Sequence, residues 1–330
     1  MTQPVNYSAR RETVDGIEIV RLSDRARQTE VSIAPAIGNM AYEMLAGGRN
    51  ILWFPYQSLA ELKRTPTLCG VPFLAPWANR IDGDAYWANG KRYALNPALG
   101  NLRRDSNGLP IHGLLNFSPA WTLVSMDAGD SSAGASSRLE FWRHPDMMAQ
   151  FPFAHSIAMT YRLSDGALEV ETAIANLCAE PMPLAIGYHP YLRLHDAPRG
   201  QWKVRIAAQT RLELNDRLIQ TGKRTPAGFT GPRPLAETSL DDVFTDLIRE
   251  PDGTAVFRVA GERQAISVAY GPKYSIAVVY APLGRDFICF EPMAAVTNAF
   301  NLSHAGLCDL PSIPPGGRWE ESFRISTTGF

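Results

Sequence analysis

The sequence predicts an all-β fold of antiparallel strands with very little helix. Three observations carry that prediction: short runs that alternate apolar and polar residues, turn residues between them, and a content of 26 Gly and 25 Pro that discourages long helices. The run 168–175, Leu-Glu-Val-Glu-Thr-Ala-Ile-Ala, alternates with period two, as a half-buried strand does. Further strands are expected over 18–22, 30–33, 202–207, 255–259, 265–269, 275–280, 287–290 and 319–326. Ser164-Asp165-Gly166, Pro251-Asp252-Gly253 and Pro315-Gly316-Gly317 supply turns between them. One or two turns of helix are expected over 57–63, and the Ser-, Gly- and Ala-rich stretch 128–137 reads as a flexible hairpin tip. A chain of 330 residues could hold one large β-domain or two ordinary ones. No break in composition divides it, so residues 1–330 are expected to form a single domain, a large β-sandwich.

Composition narrows the function. The chain is 45% hydrophobic and 20% charged, which fits a globular protein with ample core. Its 32 basic and 33 acidic residues nearly cancel, so no charge excess points to nucleic acid or an anionic membrane. A small, neutral, polar partner is the easier reading. Cys69, Cys178, Cys289 and Cys308 form no paired metal-type spacing, and a reduced, cytoplasmic protein is expected. The N-terminal stretch lacks the apolar segment of a signal peptide, and no apolar run reaches the roughly 20 residues that span a bilayer.

Five segments could carry chemistry. Gly70-Val-Pro-Phe-Leu-Ala-Pro-Trp-Ala-Asn-Arg-Ile81 presents Asn79 and Arg80 from a stiff apolar loop, with Trp77 beside them. Arg80 offers five donors to sugar hydroxyls or a carboxylate, or makes a structural ion pair; Trp77 could stack on a sugar face or lie in the core. In Leu109-Pro-Ile-His-Gly113, a proline before and a glycine after His112 constrain the backbone that aims the imidazole. Gly187-Tyr188-His189-Pro190-Tyr191 places one imidazole between two phenols, and Pro190 holds His189 extended. In Phe287-Ile-Cys-Phe-Glu-Pro-Met293, Glu291 ends an almost wholly apolar strand, where it either reaches solvent or is buried with its carboxyl pKa raised toward the range of a general base. Leu240-Asp241-Asp242-Val243-Phe244 adds two adjacent carboxylates, of which only one can face a common site on an extended strand. The remaining histidines, His144, His155, His195 and His304, read as solvated or structural.

Taken in order, Asn79-Arg80-Ile81, His112-Gly113, Gly187-Tyr188-His189-Pro190-Tyr191, Leu240-Asp241-Asp242-Val243-Phe244 and Phe290-Glu291-Pro292-Met293 resemble the aldose 1-epimerase (galactose mutarotase) family. The ending Ile313-Pro-Pro-Gly-Gly-Arg-Trp-Glu320 is similar to the family's last turn and strand. The resemblance implies a single-domain β-supersandwich and an isomerase that interconverts α and β anomers of a free hexose without a metal or other cofactor. It implies Glu291 as general base, His189 as general acid, and His112 and Arg80 around the ring oxygen. Asp241 is implied as a hydroxyl anchor; Asn79, Tyr188 and Trp77 are expected as further sugar contacts. The family's Asp is usually followed by His, and Asp242 stands there instead, so the choice between Asp241 and Asp242 is open. Hexose-6-phosphate 1-epimerases share the fold and resemble the Leu109–Gly113 pattern, and Arg103 and Arg104 upstream either grip a phosphate or form an exposed basic loop; the Asn79-Arg80-Ile81 segment favours an unphosphorylated aldose. Other readings are a carbohydrate-binding or sensor protein without turnover, and a metal enzyme with two histidines and a carboxylate as ligands. A monomer or homodimer is expected.

Overall fold

The structure, a computed structural model, describes residues 6–229 and 231–330. It is all-β, with two large antiparallel sheets packed face to face. The nine-stranded sheet is centred on Arg318–Thr328, which pairs with Ala167–Asn176 on one side and Ala265–Tyr270 on the other. The second large sheet runs Gln220–Pro226, Ala208–Leu214, Leu240–Leu247, Ile276–Ala281, Ile288–Met293, Gly187–Tyr188 and Phe73–Leu74, with Tyr191–Leu192 also paired to Ile288–Met293. A third sheet of five strands, Tyr7–Val14 to Arg49–Asn50, is built from chain-order neighbours and contacts the far end of the nine-stranded sheet.

Alternation decides what lies between the large sheets. Phe290 meets Phe257 at 5.9 Å between ring centroids, and Tyr188 meets Phe323 at 4.7 Å, each pair bridging the two sheets. Successive side chains on a strand point to opposite faces. The residues next to these aromatics, Glu291 and His189, therefore project to the outer face of the second sheet. The inter-sheet core is apolar and closely packed, so polar chemistry is pushed outward.

Each expected strand is present, most of them longer by a residue or two. The exception is 202–207, where only Lys203–Arg205 pair, because Trp202 and Ile206 leave the ladder to bury in the core. The expected helix at 57–63 is Leu59–Arg64, started by Ser58, whose side chain accepts from the Glu61 N–H at 3.1 Å. The stretch 128–137 is corrected. Its tip is confined to a tight turn, while Ala133–Glu140 is a strand whose Ala133 and Ala135 lie in the core. Small residues there serve close packing rather than flexibility. Among the described residues no helix is long and apolar enough to cross a membrane.

Candidate active site

Three neighbouring strands lay the floor of a cavity of about 200 Å³ on the outer face of the second sheet. Their register places Asp241 opposite Tyr280, Tyr280 opposite Cys289, and Cys289 opposite Tyr191. One step along, Val243 lies opposite Val278 and Val278 opposite Glu291. Directly paired residues share a face, so Asp241, Tyr280, Val278, Glu291 and Tyr191 all point the same way. Asp242 pairs with Val279 on the opposite face, and its side chain meets Arg211 at 3.4 Å. Register thus brings Asp241, not Asp242, to the cavity.

His189 enters from the end of Gly187–Tyr188, its Nε2 at 3.2 Å from Glu291 Oε1. Both side chains are almost wholly buried. The His189 main-chain N–H donates to Pro72 O and that of Tyr191 to Gly70 O, which fixes this corner to the loop carrying Asn79 and Arg80. His112 closes the opposite wall, its ring edge-on to His189 at 5.6 Å between centroids. Asn79 and His112 hold each other. The His112 N–H donates to Asn79 O at 2.9 Å, and the Asn79 N–H donates to His112 Nδ1 at 3.3 Å. Both adopt positive φ, 54° and 64°, a backbone state that persists only where surroundings impose it. The following Gly113, at φ 67°, has no room for a Cβ, which would fall 2.1 Å from Ala75 O. Since His112 Nδ1 accepts, a neutral ring carries its proton on Nε2 and is a donor.

Arg80 stands at the rim. Its Nε donates to Asp105 Oδ2 at 2.6 Å, and Asp105 Oδ1 in turn accepts the N–H groups of Asn107 and Leu109. Burial acts to raise the Asp105 carboxyl, but Arg80 and these backbone donors hold it below its usual range. Arg104 is committed, donating to Gly108 O at 2.6 Å and Asp84 Oδ1 at 2.7 Å. Arg103 lines the cavity and its carbonyl accepts the Ile111 N–H, while its guanidinium has no ion-pair or hydrogen-bond partner among the described residues.

Electrostatics separates the groups by burial. Glu291 lies well above the usual carboxylate range, chiefly through burial and then through the nearby Asp241, with Arg80 opposing. Burial pushes His189 down to about 3 and drives His112 well below the usual histidine range. Asp241 is raised by burial, again opposed by Arg80. Two acceptor-capable atoms, Glu291 Oε2 and His189 Nδ1, are buried without a hydrogen-bond partner. Such atoms are costly unless a ligand or neighbour satisfies them. Among the described residues no group of three or more His, Cys, Asp or Glu side chains is placed to hold a metal ion.

A buried carboxyl whose pKa burial raises, in contact with an imidazole inside a polar cavity, can exchange a proton with it. The family model described as aldose 1-epimerase matches residues 43–326. The chain belongs to the aldose 1-epimerase family. It is 25% identical over 234 residues to uncharacterized protein YihR of Escherichia coli K12, covering 69% of this chain and 70% of that one. Its structure is similar to a galactose mutarotase-like protein from Clostridium acetobutylicum, with a TM-score of 0.86, 19% identity and coverage of 98% and 99% of the two chains. It is also similar to the galactose 1-epimerase of Lactobacillus acidophilus NCFM, with a TM-score of 0.76, 14% identity and coverage of 99% and 100%. These likenesses establish a galactose-mutarotase-like fold.

Within this aldose 1-epimerase-family chain, six of the eight expected site residues line one cavity: Glu291, His189, His112, Arg80, Asn79 and Asp241. Tyr188 and Trp77 do not, and both expectations are corrected. Tyr188 lies on the inter-sheet face, its hydroxyl hydrogen-bonded to Thr172, because it is one residue out of phase with His189. Trp77 is core, 1% exposed, on a parallel bridge to Ala185. The aromatic residues that do line the cavity are Tyr191 and Tyr280. The period-two rule could have found Tyr191 from His189; Tyr280 needs the register of Ile276–Ala281 against Ile288–Met293. His155, by contrast, is a buried structural histidine, its Nδ1 at 2.6 Å from Phe153 O and its ring stacked on Phe141.

Proposed function

We propose that the protein is an aldose 1-epimerase that interconverts the α and β anomers of a free aldohexose. The 3.2 Å contact between His189 Nε2 and Glu291 Oε1 in a buried cavity is the observation that supports this best. In a pyranose the anomeric hydroxyl and the ring oxygen are bonded to one carbon, C1. An acid and a base serving those two oxygens must therefore stand side by side, as these do.

Glu291 takes the proton of the anomeric hydroxyl; its unpartnered Oε2 is an acceptor for that O–H. The O–H electron pair becomes the C1 carbonyl π bond as the C1–ring-oxygen bond breaks. The ring oxygen keeps that pair and takes the proton from His189 Nε2. Rotation about C1–C2 presents the other aldehyde face, and the reverse transfers close the ring and restore both groups. His112, donating from Nε2, and Arg80 hold the ring oxygen, while Asp241 and Asn79 meet other hydroxyls. The Glu291–His189 pair carries one proton and titrates as a unit. Burial favours the carboxylic acid with neutral imidazole; the working arrangement is carboxylate with imidazolium, reached by moving that proton across the contact. Arg80 favours the carboxylate. Every step is a proton transfer between side chains and sugar, so the chemistry calls for no further group.

Polarimetry on freshly dissolved α-glucose and α-galactose tests the reading. Glu291→Gln keeps the shape and removes the base, so the enzymatic rate is expected to fall by about 10²- to 10⁴-fold. A variant as fast as wild type would sink the assignment, and a wild type that leaves the spontaneous rate unchanged would favour a binding or sensor protein. One observation supports a hexose 6-phosphate as the alternative substrate, the free guanidinium of Arg103 in the cavity wall. The two-arginine grip is not formed, since Arg104 is held by Asp84. Glucose 6-phosphate in the same assay decides between the two.

A further inference from the structure

We infer that Tyr191 is a positioning residue for the acid, its ring face setting the plane of the His189 imidazole and stabilising the imidazolium form. The inference rests on the acid–base reading above and extends it to a residue with no hydrogen bond to the pair. The two rings are stacked, 4.5 Å between centroids and 11° between planes. Their alignment follows from the chain, because residues i and i+2 of an extended segment share a face and Pro190 keeps this one extended.

A second, independent observation makes the stack necessary. The acid–base histidines of proteins are ordinarily oriented by a carboxylate or carbonyl on the second ring nitrogen. Here His189 Nδ1 is buried and lacks a hydrogen-bond partner. No polar group of another residue fixes the ring on that side, where only the main chain of His189 itself acts on the imidazole, so the face of Tyr191 does. Tyr191 is itself braced: Trp53 stacks on it at 5.7 Å and Phe287 meets it edge-on at 5.0 Å. Trp53, Tyr191 and His189 thus form one aromatic column ending at Glu291. An aromatic face attracts a cation lying over it, so the column favours the imidazolium that burial disfavours.

The other titratable or charged groups around His189 are Glu291, Asp241 and Tyr280 from the floor, His112 from the opposite wall, and Arg80 and Arg103 from the rim. None changes in a Tyr191 variant. Tyr191→Leu removes the face while keeping an apolar side chain; Tyr191→Phe keeps the face and removes only the hydroxyl. In Tyr191→Leu, kcat for mutarotation is expected to fall about tenfold, the size of one desolvated cation–aromatic contact, and by more than in Tyr191→Phe, while any change in KM reports the ring's own place in the cavity lining. The acid limb of its pH profile is expected at lower pH, because the imidazolium is the form that lost support. Tyr191→Phe is expected to restore the position of that limb. A wild-type limb in Tyr191→Leu, with its melting temperature showing it folded, overturns the inference. So does a Phe variant as impaired as the Leu variant, since the hydroxyl would then be what matters. The stack itself is read without activity, from the upfield ring-current shift of the His189 ring protons, assigned with His189→Asn. If that shift is the same in Tyr191→Leu as in wild type, the inference fails. If His189→Asn retains the wild-type rate, the acid assignment fails instead.

Discussion

Arg80 has two tasks that experiment can separate. Its Nε is tied to the nearly buried Asp105, while its two amino groups stand at the cavity rim without partners among the described residues. Arg80→Ala is therefore expected to raise KM for the sugar and to lower stability together. The stability loss should be about 1–3 kcal/mol, the range for unpairing one buried polar group, because Asp105 keeps its two backbone donors. Denaturant unfolding and a KM measurement on the same preparation check both halves. An unchanged KM with reduced stability would leave Arg80 a structural residue. The sequence could show Asn79, Arg80, His112, His189 and Glu291 as unusual, because each breaks a local pattern: a carboxylate in an apolar strand, an imidazole beside Pro or Gly. It could not show that Arg80 both binds and braces, since Asp105 is 25 residues away and nothing local links them.

At the scale of elements, strand alternation makes sharper statements than composition does. The strand Leu240–Leu247 turns Asp241 into the cavity and Asp242 toward Arg211. Asp241→Asn is expected to raise KM by about tenfold, the value of one charge-assisted hydrogen bond to a hydroxyl. Asp242→Asn should leave KM alone and cost about 0–1 kcal/mol, because its ion pair is partly solvated. A sugar panel run on both variants tests this, and equal effects would mean the register is wrong. The strand His155–Ser164 carries a different titration. His155 is pushed down to about 4 by burial, with the Phe153 carbonyl opposing. Between pH 6.5 and 4 the unfolded chain binds this proton and the folded one does not, so stability falls as pH falls through that window and the contribution is gone below it. The loss is on the order of 3 kcal/mol. His155→Phe, which can keep the stack on Phe141, should lose correspondingly less stability between those pH values in urea titrations. An unaltered pH slope would place the acid sensitivity elsewhere. Strand presence was legible in the alternating runs, but Tyr188 shows the limit. It sits in the most conspicuous motif of the chain, yet one residue of phase sends it into the core.

Across the whole molecule, the site is assembled from segments that lie far apart in the chain: Asn79–Arg80, Arg103–His112, His189–Tyr191, Asp241 and Val278–Glu291. The paired register of the second sheet brings the last three together, and the bridges and hydrogen bonds between the loops at Arg80 and His112 close the other wall, which is why the motifs could be read singly in the sequence while their geometry could not. The five-stranded sheet stands apart from this. It contributes no residue to the cavity, and most of it precedes the family match at residue 43. Yet Val20, Leu22, Val31 and Ile33 are fully buried in the main hydrophobic cluster, and its strands contact the far edge of the nine-stranded sheet. Stability and catalysis should therefore come apart here. Leu22→Ala empties a core position and is expected to cost about 2–5 kcal/mol of unfolding free energy. Because the cavity lies on the outer face of a different sheet, kcat and KM below the lowered melting temperature should stay at wild-type values. Calorimetry with mutarotation kinetics on one sample measures both. A Leu22→Ala protein that melts lower and also binds sugar poorly would show that the N-terminal sheet shapes the cavity through the core, and the separation argued from these contacts would fail.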